Sequence, residues 1–287
     1  MDRATLLDTL ENSPNFPVVP KELSDVINIL QEPQDVEIEN LVNRIKLVED
    51  LEPMIINFIN SKFFKVNKKV TSLKEAIIYL GMNTMQVIII TTITSTLFPN
   101  YLNEIGNYRR ESYFRHSIGT ALASISIAEW LGEGDQYELF AYGLLHDVGV
   151  VLYESYFPEL KEKIDEIIKR GTHQIVAERI ILGGLDHTDI GGWICNKLNL
   201  PPNITEVVIS HHWPFKAKKE NKMIQIINLG DHISTKYYED LLRGSSFERS
   251  TNFSTNNSLK VPKEVIEEIA YNLPNEVEKT LTLFTRF

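Results

Sequence analysis

The octapeptide GLLHDVGV, residues 143–150, sets His146 and Asp147 side by side among residues that read as core: Leu144, Leu145, Val148 and Val150. A buried carboxylate without a partner costs several kcal/mol, and an unpaired buried imidazole is also unfavourable. A hydrogen-bonded network, a salt bridge or a metal ion must compensate the pair. The other histidines bear on which: His116, His173, His187, His211, His212 and His232. His211-His212 is a second adjacent pair at the end of an expected helix, and Asp231 follows in INLGDHIST. In chain order the candidate set is His116, His146-Asp147, His187, His211-His212 and Asp231.

Neutral imidazoles and carboxylates in this mixture suit Zn, Fe, Mn or Ni. The set has the composition of a site for two divalent transition-metal ions. A carboxylate, with two oxygens, readily bridges a pair of cations, holding them ~3.5–4 Å apart. The alternative is a hydrogen-bonded polar network inside a helical core. His173 reads as an exposed or capping residue and His232 as structural, beside Asp231 but off its face. Trp193 and Trp213 read as core or pocket wall. The run Lys216, Lys218, Lys219 is a solvated loop or a phosphate contact, and Arg109, Arg110 and Arg115 before His116 carry the same two readings.

The elements that must position these residues are helical almost throughout. Ile38, Leu41, Val42, Ile45 and Val48 form one helical stripe. In TSLKEAIIYLG, Ser72 and Glu75 have the spacing of a capping box, and Gly81 stands where a helix ends. Residues 85–98, rich in β-branched side chains, are read as a buried helix because no hairpin signal or partner strand accompanies them. Further helices are expected over 20–31, 52–62, 113–131, 136–146, 158–171, 173–183, 187–198, 202–211 and 221–242, with two short ones at 262–272 and 275–286. Adjacent residues on a helix point about 100° apart, so His146 and Asp147 can reach one site from a single element. Arg243 to Pro262, dense in Ser, Thr and Asn, reads as a surface loop. The fold class expected is all-α.

The bulk numbers agree with a globular chain: 287 residues, 43% apolar and 24% charged. A net charge of -10 argues against general nucleic-acid binding. The one cysteine, Cys195, stands at a buried helix position and fits a reducing, cytoplasmic setting. The N-terminus lacks the apolar run of a signal peptide, and no stretch reaches the ~20 apolar residues of a membrane span.

These residues resemble the HD superfamily of metal-dependent phosphohydrolases, and more closely an HDOD-domain protein. VVPKELSDVINILQEPQDVEIENLVNRI and FINSKFFKVNKKVTSLKEAIIYLGMNTMQVIII are similar to the N-terminal half of HDOD domains. The His/Asp series from 116 to 231 supplies the rest, and the likeness covers about residues 12–240. It implies a helical HDOD half over 1–100, an HD-type metal-binding bundle over 101–245, and a loop with C-terminal helices over 246–287. It further implies one ion on His116, His146, Asp147 and Asp231, a second on Asp147, His187, His211 and His212, and a hydroxide between them, with Asp147 as the catalytic carboxylate of any enzyme.

The sequence departs from the relatives that cleave cyclic di-GMP. Val150 stands where they carry a lysine, HHWPFKAKKE replaces their acidic and Gly-Tyr-Pro element, and Ser112 replaces a third-metal glutamate. Cyclic di-GMP is therefore expected to be a poor substrate. The family leans towards bacterial signal transduction, so regulation of an unidentified partner, or binding of a nucleotide or phosphoester, is expected first. Metal-dependent phosphohydrolysis, with Arg115, Lys216 and Lys218 as substrate contacts, is the alternative.

Overall fold

The computed structural model describes residues 2–13, 16, 19–60, 69–97, 107–217, 221–242 and 258–284, and no strand occurs among them. Lys218, Lys219 and positions 243–257 of the expected loop lie outside the described residues, as do the side chains of Arg109, Arg110 and Ser112.

The chain begins with α1 (Arg3–Glu11), α2 (Lys21–Ile29), α3 (Ile38–Lys46), α4 (Leu51–Ile59) and α5 (Leu73–Leu80). The expected stripe on α3 buries Leu41, Val42 and Ile45, with Ile38 and Val48 packed at its margin. At the start of α5 the Ser72 hydroxyl accepts the Glu75 amide at 3.2 Å, while the Glu75 carboxylate accepts from the Thr71 amide at 2.9 Å and hydroxyl at 3.0 Å. Gly81 ends the helix at φ 83°, ψ 161°, a conformation essentially reserved for glycine.

α6 (Met82–Leu97) takes in the stretch rich in β-branched side chains, and it is a helix. Every residue from Thr84 to Ile93 is buried, so no polar face exists to give it a period. It packs on α4, α5, α8 and a short 3-10 turn at Pro33–Asp35. Through it one apolar cluster runs from Leu6 to Val277.

The remainder is α7 (Asn107–Leu131), α8 (Gln136–Leu145), α9 (Val148–Tyr156), α10 (Pro158–Lys169), α11 (Gln174–Ile181), α12 (His187–Lys197), α13 (Pro202–Ser210), α14 (Asn221–Leu242) and α15 (Lys263–Phe284). α8, α14 and α15 line α7, while α12 packs against α9 and α13. α9 falls between two expected helices; its VGVVLYESY is buried from Val148 to Tyr153 and so carries no helical period.

The two expected C-terminal helices are one. Pro274 lies inside α15, where it forfeits a backbone hydrogen bond. The buried stripe Ile266, Ile269, Ala270, Leu273, Val277 and Thr280 runs past it without losing phase. Packing against α7 and α14 thus holds the helix together through the proline.

Candidate metal centre

His146 and Asp147 sit at a joint. α8 ends at Leu145 and α9 begins at Val148, so the pair links two helices and does not ride on one element as expected. Asp147 is the N-cap of α9, a position where a carboxylate normally accepts the helix's first amides. It makes no such bond; its carboxylate is turned to the histidines. The other members arrive separately. His116 lies within α7 and Asp231 within α14, His187 is the first residue of α12, and His211-His212 follow α13. The entry to α12 is fixed by a capping box of Asp186 and Asp189, and Asp186 also pairs with the Arg179 guanidinium at 2.6 Å.

The seven residues form two groups. Asp147, His187, His211 and His212 bring one donor atom each within 4.8 Å of one another, and so do His116, His146 and Asp231. Asp147 joins them. Its Oδ2 is 3.3 Å from His116 Nε2 and 3.5 Å from His146 Nε2, while its Oδ1 is 3.4 Å from both His187 Nε2 and His211 Nε2. His116 Nε2 is 3.4 Å from Asp231 Oδ1, and His187 Nε2 is 2.9 Å from His212 Nε2.

The far ring nitrogens are tethered outward. His146 Nδ1 donates to the Gly143 carbonyl at 2.7 Å, His211 Nδ1 to that of Val208 at 3.0 Å and His187 Nδ1 to Glu178 Oε2 at 2.7 Å. Each bond turns Nε2 towards the cluster, the arrangement that ligand histidines require.

The donor set passes a chemical test for metal ions. Asp147 Oδ1 is buried and has no hydrogen-bond partner, a costly state unless a cation faces it. Donors held 2.0–2.2 Å from one ion stand roughly 3–3.6 Å apart, and most of the distances above fall in that interval. Electrostatics agree. Burial keeps His146 neutral, its pKa pushed down to about 4, and it also holds that of His212 well below the usual range. Burial opposes ionisation of Asp147 and Asp231, yet the surrounding imidazoles hold both carboxyls below their usual values.

His187 behaves differently. Burial disfavours its cation, but the Glu178 and Asp147 carboxylates outweigh this and lift its pKa to about 10. At neutral pH the metal-free chain therefore carries a proton here that a ligand imidazole must lose. Metal binding at pH 7 is expected to release about one proton or more per chain, since Asp147 and Asp231 also raise the pKa of His116 against burial, and apparent affinity to rise by about tenfold or more per pH unit between pH 6 and 8. Calorimetry in two buffers of different ionisation enthalpy measures the release. A value below half a proton would remove His187 from the ligand set.

The other sequence candidates stand outside the two groups. Arg115 is ion-paired with Glu278 of α15. Lys216 is exposed and stands over the Trp213 ring at 5.0 Å. Val150 is buried. His173 is an exposed N-cap of α11, and His232 is exposed with Nδ1 on the Asn228 carbonyl. Cys195 is buried and Trp193 packs beside Phe16. The sequence reading missed Glu178, whose signal is a charge on the apolar stripe of α11 between Ile175 and Leu182.

Comparison with known proteins gives the same frame. A protein of Treponema pallidum (strain Nichols), itself uncharacterized, is 24% identical over 223 residues, covering 76% of this chain and 41% of its own length. The chain thus spans about two-fifths of that relative. Among solved structures, a protein of Shewanella amazonensis SB2B provisionally named a phosphohydrolase superposes with a TM-score of 0.69 at 19% identity, over 97% of this chain and 98% of that one. A provisionally named signal transduction protein of Marinobacter aquaeolei VT8 gives 0.64 at 17% identity, over 97% and 60%. Both likenesses are of fold. The family model of the HDOD domain matches residues 16–214, well over half of the sequence, and the chain therefore belongs to the HDOD domain family.

Proposed function

We propose that this chain is a regulatory HDOD protein of bacterial signal transduction whose bundle holds two divalent transition-metal ions, Fe, Mn, Ni or Zn. His116, His146, Asp147 and Asp231 would hold one, and Asp147, His187, His211 and His212 the other. The observation that carries this reading is Asp147: each oxygen faces a different group of donors, and Oδ1 has no hydrogen-bond partner. Elemental analysis after metal-replete growth and chelator-free purification tests it. About two ions per chain are expected, and less than half an ion would defeat the reading. A cytoplasmic location belongs to the proposal, in keeping with the single unpaired Cys195. None of the described helices is long and apolar enough to cross a membrane.

The regulatory role is favoured by what surrounds the centre. Phosphoryl transfer depends on cations that position the phosphate and take up its charge. Among the described ion pairs, no lysine or arginine meets the cluster. Val150 is buried, Arg115 is engaged by Glu278 and Lys216 lies over Trp213. A signalling protein, or a nucleotide or other phosphoester, is the partner this reading calls for.

Hydrolysis of a phosphoester is the second reading, supported by the complete donor set and by the side chains of His116 and His212, which remain 19% and 18% exposed. Bound ions would supply Lewis acidity towards a phosphoryl oxygen. The chain's own part would be to fix those ions through Asp147 and to leave the His116–His212 side open to the ester. Slow cleavage of an activated aryl phosphodiester is expected, with cyclic di-GMP poorer. The comparison is wild type against Asp147→Asn with Mn, Fe or Ni supplied in turn. Equal rates in the two proteins would dismiss hydrolysis, whereas cyclic di-GMP cleaved well ahead of the aryl ester would show that Val150 does not limit the site.

A further inference from the structure

The geometry points to Glu178 as a positioning residue that serves the ion on the His187 side and not the other; this rests on the two-ion reading above. Glu178 lies on α11, away from the cluster, and is completely buried. Four donors surround its carboxylate. Tyr153 Oη and Gln174 Nε2 donate to Oε1 at 3.0 and 2.9 Å, and both the backbone amide and Nδ1 of His187 donate to Oε2, at 3.0 and 2.7 Å. One oxygen is therefore given wholly to His187.

This double grip does two things. It fixes the imidazole ring relative to its own backbone, and it selects the tautomer protonated at Nδ1, leaving Nε2 as the donor facing Asp147, His211 and His212. It also places a buried negative charge behind the ligand. Among the described residues, no lysine or arginine pairs with Glu178. In the metal-free chain the ring of His187 is its ion-pair partner at 2.7 Å, and a cation bound on the His187 side would take over that compensation through the ring. The opposite side has no equivalent: the far nitrogen of His146 meets the neutral Gly143 carbonyl, and that of His116 meets the Ser234 hydroxyl at 3.3 Å. The support is asymmetric, so its removal should be felt at one ion only.

The test uses the metal-stripped full-length chain titrated with Co(II), followed by calorimetry and visible absorption. Glu178→Gln keeps the shape and removes the charge. Once each affinity is corrected for the protons released on binding, one of the two steps is expected to weaken about 10–100-fold, with the other within threefold of wild type. The same substitution in a His187→Ala background is expected to change nothing, which a general loss of packing would not reproduce. Equal weakening of both steps, no weakening, or a full effect in the His187→Ala background would overturn the inference. Should Glu178→Gln fail to fold, Tyr153→Phe removes one donor to the carboxylate; a smaller fall at the same step supports the role, and an unaltered step refutes it. A wild-type chain that takes up no Co(II) defeats the two-ion reading itself, whereas two ions bound identically by wild type and Glu178→Gln defeats only the role of Glu178.

Discussion

Asp147→Ala is expected to strip the centre, taking bound metal from about two ions per chain to less than half an ion. No other substitution of a single ligand should do as much. His187, His211 and His212 would remain on one side and His116, His146 and Asp231 on the other. Without the carboxylate, each group loses a donor and the tie that holds the two ions against their mutual repulsion. The remaining imidazoles cannot replace it, since His187, His211 and His212 have no other carboxylate in their group. His187→Ala is the contrast. It removes one donor from one group, so one ion should be lost and the other kept. The assay is metal content per chain after chelator-free purification, compared across wild type and the two variants. If His187→Ala emptied both positions while Asp147→Ala emptied neither, the bridging role would belong elsewhere.

Much of the centre was legible because its chemistry is unusual in composition. Adjacent His-Asp and His-His pairs in apolar surroundings need compensation, and the resemblance to the HD superfamily, not their spacing, implied how the seven residues divide. What the sequence hid was how the pairs are presented. His146-Asp147 reads as the end of one helix, yet the chain breaks there, and the break frees the Asp147 carboxylate from capping α9. Nothing in local propensity distinguishes a cap that caps from one that does not; the choice is made by the histidines across the bundle. Helices with one wet face, such as α3, were plain from their period. α6 and α9 were not, because burial on every side erases the alternation that reveals a helix. Pro274 misled in the opposite direction: a strong local breaker was overridden by the apolar face of α15. Glu178 escaped because a lone acid on a helix is ordinarily a solvated one. Only its position on the apolar side of α11 marks it.

Gly149→Ala is expected to be the most damaging substitution outside the ligand set. α9 crosses α12 backbone to backbone at this residue, two positions after Asp147. A methyl group there would lie 2.0 Å from the His187 carbonyl oxygen and 2.7 Å from the Gly191 amide nitrogen. Both are main-chain atoms, so no rotamer change relieves the clash; the helices must separate. Overpacking of this kind costs about 3 kcal/mol or more at its upper end, which corresponds to a fall in Tm of roughly 6–12 °C for a chain of this size. The displaced atom belongs to His187 itself, so the separation also draws that ring from Asp147, and affinity for one ion should fall along with stability. Gly192→Ala is the control: its methyl would meet Ile209 Cγ1 at 2.6 Å and Cδ1 at 2.8 Å, atoms of a side chain that can turn aside. Thermal unfolding of the metal-free chains separates the two cases. A Gly149→Ala chain melting within 2 °C of wild type, or one no less stable than Gly192→Ala, would mean that α9 and α12 do not depend on this close crossing to bring His187 to Asp147.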